Sequence, residues 1–189
     1  MRGTSRSTPL TSEIAQAVAP GRHERVLASA VERATGALLI ATTYAVARVA
    51  SDGTLEWRRP WYAVDSGSWT GEEGTLIVSW MDGRPAESWH LERAAAFLAV
   101  FRERVQASVV VGTDVEVHGR RIARVVLRKD LATRDLVEQV RWVRPVRRAV
   151  APHGATAPIG PTAPIGPTEA EVEAVRRGLA RLKDDVGMS

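Results

Sequence analysis

The sequence predicts a mainly β, α+β chain: an antiparallel sheet curled into a small barrel or sandwich, one capping helix, then a linker and a second helix. Three observations predict it. Aliphatic and β-branched runs broken by turn residues recur from Arg25 to Leu91. From Leu91 the hydrophobic period lengthens from two to about 3.6 residues. After Ala149 alternation stops, and TAPIGP occurs twice in tandem, at 156–161 and 162–167.

These shifts divide the chain into a leader (1–21), a β-domain (22–148), a Pro/Gly-rich linker (149–167) and a C-terminal amphipathic helix (168–189). In the leader, which is expected to be flexible, TSEIAQAV reads as a short helix with Thr11 or Ser12 as N-cap and Pro20 as its stop. RVLASAVER and GALLIATTYAVARVA then read as strands meeting at Gly36, and SDG at 51–53 as a turn. TLEWRR alternates, with Leu55 and Trp57 on one face. WYAVDSGSW and TLIVSWMDG form a hairpin about TGEEG, and AESWHL follows with Trp89 and Leu91 on one side.

In LERAAAFLAVFRERVQAS, Leu91, Ala94, Leu98, Phe101 and Val105 recur at helical spacing. The helix should dock on the sheet, with Leu98 and Phe101 buried. SVVVGTDVEVHGRRIARVVLRKD and LVEQVRWV supply a further hairpin and a last strand. The repeated TAPIGP favours an extended segment without a packed core.

Composition narrows the function classes. The chain has 189 residues and no cysteine, so disulfides, thiolate catalysis and Cys-ligated zinc are excluded. No apolar run reaches the roughly 18 residues of a membrane span, and the first 20 residues lack a signal-like apolar core. The expected location is cytoplasmic, with membrane association only through a partner. All basic residues but Lys129 and Lys183 are arginines, and the net charge is +4. That charge is uneven: residues 111–150 hold ten basic and five acidic groups, a sum of +5, whereas residues 21–110 sum to −1.

Catalytic motifs do not assemble. DSGSW at 65–69 places Trp69 between Gly67 and Gly71, where a nucleophile elbow needs serine, and a strand rather than a helix follows. It reads as a β-corner or bulge. GSWTGEEGT lacks the lysine of a phosphate loop, and its glutamates would repel phosphate. Asp114, Glu116 and His118 alternate with valines, which places all three on one strand face; such a face is ordinarily a solvated one. No metal ligand set or cofactor site is assigned. Trp57, Trp61, Trp69, Trp80 and Trp89 read chiefly as core and rim packing, with a ligand groove as the competing reading.

Two surfaces stand out. Arg120, Arg121, Arg141, Arg144, Arg147 and Arg148, interleaved with Trp142, form a candidate anion-binding surface. In the last helix Thr168 and Glu171 have capping-box spacing, and Val172, Val175, Leu179, Leu182 and Val186 follow at intervals of 3, 4, 3 and 4. A lone helix of this length is marginal in water, and Gly178 weakens it by about 1 kcal/mol. It therefore needs a surface to dock on: another protein, a second copy or its own domain. The linker's reach favours another molecule, with Val175, Leu179 and Leu182 as anchors.

ERVLASA at 24–30, RRPWYAVDSGSWTGEEGTLIVSW at 58–80 and FRERVQASVV at 101–110 resemble the bacterial pleckstrin-homology-like domains, and within them a group of small actinobacterial proteins. The likeness covers about residues 22–130 and rests on structural motifs. It implies a binding domain rather than an enzyme. Eukaryotic domains of this fold bind phosphoinositides through basic residues in the first hairpin loop; here that loop, ERATGA, offers only Arg33. The expected role is a non-catalytic adaptor, one partner held by the β-domain and another by the last helix. The alternative is an arginine-surfaced protein that binds nucleic acid or an anionic membrane.

Overall fold

The computed structural model describes residues 10–143 and 167–187. Their elements are α1 (Ser12–Val18), β1 (Val26–Glu32), β2 (Leu38–Thr42), β3 (Ala45–Val49), β4 (Leu55–Pro60) and a 3-10 turn at Trp61–Ala63. Then come β5 (Val64–Thr70), β6 (Thr75–Trp80), β7 (Glu87–Glu92) and α2 (Ala95–Ser108). β8 (Val109–Val117), β9 (Arg120–Lys129), β10 (Leu136–Trp142) and α3 (Glu169–Asp185) complete the order. The linker assigned to 149–167 lies outside the described residues except for Pro167.

The fold is β-dominated, as expected. Seven strands form one antiparallel sheet in the order β4-β3-β2-β1-β7-β6-β5, curled into a half-barrel. Its joint is short: β1 and β7 pair only at Val31–Glu92 and Glu32–Leu91. Two pairings hold the halves together while leaving them free to fold over one another. Trp57 on β4 thereby meets Trp80 on β6 edge-on, with ring centroids 5.6 Å apart, and lies 6.1 Å from Trp89 on β7. The Arg59 guanidinium sits 4.1 Å from the Trp80 centroid and donates to Glu87 at 3.0 Å, bridging the same gap.

α2 fills the hollow. Phe97 and Phe101 are buried among Leu39, Trp61, Val64, Leu76 and Val78, whereas Leu98 is only partly covered. Each fully buried aromatic side chain of this kind stabilises the fold by about 1.5–3 kcal/mol. β2 is buried at all five positions because both its faces are covered. Leu39 and Ala41 face the α2 core; Leu38 and Ile40 pack with Ile14 and Val18 of α1. Thr11 caps α1, its hydroxyl accepting from the Ile14 N–H at 3.2 Å. The expected helix is present, but residues 10–18 belong to the packed unit rather than to a flexible leader.

GALLIATTYAVARVA is two strands, not one. It bends at Thr43-Tyr44 without glycine or proline, because the Thr42 hydroxyl accepts from the Ala45 N–H at 2.9 Å and donates to Glu24 at 2.5 Å. Glu24 in turn pairs with Arg58 at 2.6 Å.

β8, β9 and β10 form a separate antiparallel sheet with β9 central. His118 and Gly119, both at positive φ (52° and 72°), close the β8–β9 hairpin. This sheet and the half-barrel are joined by side chains of β9 and β10. Buried Arg128 donates to the Ser108 hydroxyl at 3.1 Å and to the Asp65 carbonyl at 3.2 Å. Gln139 donates to the Tyr62 carbonyl at 3.0 Å, and Arg141 to the Asp65 carboxylate.

Candidate functional site

α3 begins where its capping box predicts. The Thr168 hydroxyl accepts from the Glu171 N–H at 3.3 Å, and the Thr168 N–H donates to the Glu171 carboxylate at 2.8 Å. That backbone N–H, then the Thr168 hydroxyl and Arg120, hold the Glu171 carboxyl below its ordinary value.

The apolar stripe of α3 faces its own chain, which corrects the expectation that it docks on another molecule. Val175 and Leu182 are 6% and 3% exposed, buried against Val115, Ile122, Ala123, Val125 and Leu127. Leu179 and Val186 are partly buried in the same cluster. Of the five stripe residues only Val172, 38% exposed, stands largely in solvent. The physical reason is the sheet: its valine-rich face has no other cover, and burying both surfaces intramolecularly needs no second molecule. Gly178 permits the close fit, since a Cβ there would lie 3.0 Å from a Val115 methyl and 3.4 Å from one of Val125. Arg120 with Glu171 (3.6 Å) and Lys183 with Glu138 fasten the margins.

The anion-surface residues are dispersed among carboxylates. Arg120 pairs with Glu171, Arg121 with Asp114 at 3.2 Å, and Arg141 with Asp65. Arg144, Arg147 and Arg148 lie outside the described residues. Arg33, the one basic residue of the first hairpin loop, lies 3.7 Å from Glu92. LRK at 127–129 reads from the sequence as part of the anion surface, but Arg128 is a buried cation, 3% exposed, whose guanidinium is held below its ordinary value by burial. The available signal was parity: Arg124, Val126 and Arg128 share one face of β9, and that face turns toward the half-barrel.

Asp114 and His118 do not share a strand face as a ligand pair would. β8 ends at Val117, its register shifts between Val115 and Glu116, and His118 lies in the turn. Among the described residues no group of three or more His, Cys, Asp or Glu side chains is arranged to hold a metal ion. The Ser66 hydroxyl meets the Ser79 hydroxyl at 2.9 Å, across the β5–β6 pair. Trp61, Trp80 and Trp89 are core residues; Trp69 is exposed. No described helix is long and apolar enough to cross a membrane.

What remains open is the seam where α3 crosses β8. β8 is an edge strand, hydrogen-bonded to β9 alone. Beside it lies a cleft of about 320 Å³ lined by Thr113, Asp114 and Glu116 from β8 and by Ala174, Arg177 and Arg181 from α3. A second hollow of about 360 Å³ continues toward the helix start, between His118, Arg120 and Glu171. A strand edge beside a helix can accept an extended segment, which gains backbone hydrogen bonds from the edge and side-chain contacts from the helix.

Comparison with known proteins returned no matching family model, curated protein or solved structure.

Proposed function

We propose that the protein is a non-catalytic binding module of the bacterial pleckstrin-homology-like type, engaging a protein partner along the free edge of β8 beside α3. The type is supported by seven antiparallel strands followed directly by the closing helix α2. The binding reading is carried by one observation: β8 leaves one edge uncovered along a groove formed by α3. An uncovered edge is a template for strand addition, and proteins that do not use it blunt it with charged residues, proline, bulges or a covering segment. β8 carries Asp114, Glu116 and a register shift after Val109, but no lysine, no proline and no covering strand, and Val109 and Val110 are 45% and 41% exposed.

This reading moves the partner surface from the α3 stripe to the seam that the stripe creates. The adaptor role then needs α3 docked, not displayed. The anionic-polymer alternative is weaker, because Arg120, Arg121 and Arg141 each face a carboxylate.

The test is to pan a random-peptide display library on the whole chain and map the selected peptides by amide chemical shifts. Shifts concentrated at Val111–Val115 and at Arg177 and Arg181 are expected. Shifts confined to other surfaces, or no enrichment at all, would sink the reading.

A further inference from the structure

We infer that β5 is a second interaction edge and that its occupant is another copy of this chain, the two β5 strands pairing antiparallel about a two-fold axis at Ser68. The inference stands apart from the β8 edge and does not depend on it.

The first support is the edge itself. Among the described residues four strands stand at a sheet edge: β4, β5, β8 and β10. Charge and proline are the usual protections of such an edge. β4 carries Arg58 and Pro60, β8 Asp114 and Glu116, and β10 Glu138 and Arg141. β5 differs. From Ser66 to Thr70 it has no charged residue and no proline, its register against β6 is unbroken, and all five residues are exposed. Its one charge, Asp65, precedes that run and is held by Arg141.

The second support is shape, and it selects the occupant. Directly opposed residues of an antiparallel pair share a sheet face. Gly67 pairs with Val78 and Trp69 with Leu76, both core residues, so Gly67 and Trp69 lie on the hollow side of the half-barrel. Ser66, Ser68 and Thr70 lie on the outer side, opposite Ser79, Ile77 and Thr75. A two-fold axis at Ser68 sets Ser68 against itself, Ser66 against Thr70 of the other copy, and Gly67 against the other copy's Trp69. Every opposed pair has one parity, so the hollow sides of both copies fall on the same side of the joined sheet. The largest side chain of the run then meets the missing one, twice. Trp69 is 39% exposed in the single chain. In the pair it covers the bare backbone of Gly67, beside the Phe101 ring that already lies over that glycine. A two-fold contact needs one patch to complement itself, and a run with Gly and Trp equally spaced about its centre does so.

The hairpin tip agrees in charge. Thr70 is followed by Gly71-Glu72-Glu73-Gly74, and neither glutamate has an ion partner among the described residues. Because Thr70 stands opposite Ser66 of the other copy, this tip arrives beside that copy's Asp65. There Arg141 pairs with Asp65, and Arg124, directly across from Arg141 on β9, pairs with no carboxylate among the described residues.

The experiment uses the full chain, whose lack of cysteine lets single substitutions report the register. Ser68→Cys sets two Cα atoms about 4.5–5.5 Å apart across the axis, within disulfide reach. Thr70→Cys sets them about 14 Å apart along the joined strands, beyond it. With copper phenanthroline and air, Ser68→Cys should cross-link about ten-fold faster or more than Thr70→Cys, and mixed Ser66→Cys and Thr70→Cys chains should cross-link to each other. Sedimentation velocity from low micromolar to submillimolar concentration gives the parent's dimer constant. Trp69→Ser should weaken it by about ten-fold or more without changing the thermal melt. A parent that stays monomeric throughout, or a dimer indifferent to Trp69→Ser, overturns the inference. So do equal cross-linking rates for Ser68→Cys and Thr70→Cys, and this comparison decides the matter alone if Trp69→Ser alters the melt.

Discussion

Gly67 lies directly under the ring of Phe101: a Cβ on Gly67 would fall 2.5 Å from Phe101 Cε1. This contact answers what DSGSW is for. Gly67 opens space for α2, Asp65 holds Arg141 and, through its carbonyl, Arg128, and Ser66 bonds Ser79 across the strand pair. Asp65, Ser66 and Gly67 each thereby join neighbouring elements of the fold.

Gly67→Ala is therefore expected to destabilise the fold by about 1–3 kcal/mol through overpacking. Phe101→Ala should cost about 3–5 kcal/mol, because the ring is buried against Trp61, 5.6 Å away edge-on. In a Phe101→Leu background the Gly67→Ala cost should shrink. Urea melts of the four proteins measure this, and equal Gly67→Ala costs in both backgrounds would show that the ring is not what the methyl meets.

The stripe of α3 yields a prediction that separates intramolecular docking from display. Leu182→Ala should cost about 2–5 kcal/mol of α3 docking and speed amide exchange through the helix, since a released helix of this length is marginal alone. Val172→Ala should change little, because Val172 is largely in solvent. If both substitutions leave α3 exchange unchanged, the helix is not held by this sheet.

Glu171 gives the pH dependence. Its carboxyl lies below the ordinary 4.5 because it accepts from the Thr168 N–H and hydroxyl. A depressed folded value means that the cap stabilises α3 at pH above 4.5 and that this contribution fades as pH falls through the folded value. A carboxyl carbon NMR titration should show a Glu171 midpoint below 4.5, returning toward 4.5 when Thr168→Ala removes the hydroxyl. A midpoint at the ordinary value in the parent chain would mean that the capping box is not formed.

Much of this architecture was legible because it rests on local chemistry. Period-2 alternation located β4 and β7, the capping box fixed the start of α3, and helical spacing placed Phe101 in the core. The β2–β3 bend was illegible because Thr42 supplies through one hydroxyl what glycine or asparagine usually supplies through backbone freedom. The fate of the α3 stripe was illegible for a different reason. Spacing reports that a face is apolar but not which surface covers it, and the covering valines Val115 and Val125 lie far upstream, on the other side of the Pro/Gly-rich segment. The burial of Arg128 was illegible because parity places it on the sheet face opposite α3 but does not say that this face packs on the half-barrel, where Ser108 and the Asp65 carbonyl receive it.

Gly178 carries the last prediction, and it inverts the sequence expectation. In an isolated helix glycine costs about 1 kcal/mol relative to alanine, so Gly178→Ala should stabilise α3. Docked on the sheet, the added methyl would sit 3.0 Å from a Val115 methyl and 3.4 Å from one of Val125, both on strands with little room to retreat. Overpacking of this kind costs about 1–3 kcal/mol, which equals or exceeds the propensity gain. Gly178→Ala should therefore loosen α3 or leave it unchanged, and Gly178→Val should loosen it further. Trimming the obstacle should reverse the sign: in a Val115→Ala background, where the methyl fills vacated space, Gly178→Ala should slow α3 amide exchange. If Gly178→Ala stabilises α3 in the parent chain by its full propensity value, the helix does not approach the sheet as closely as Val115 requires.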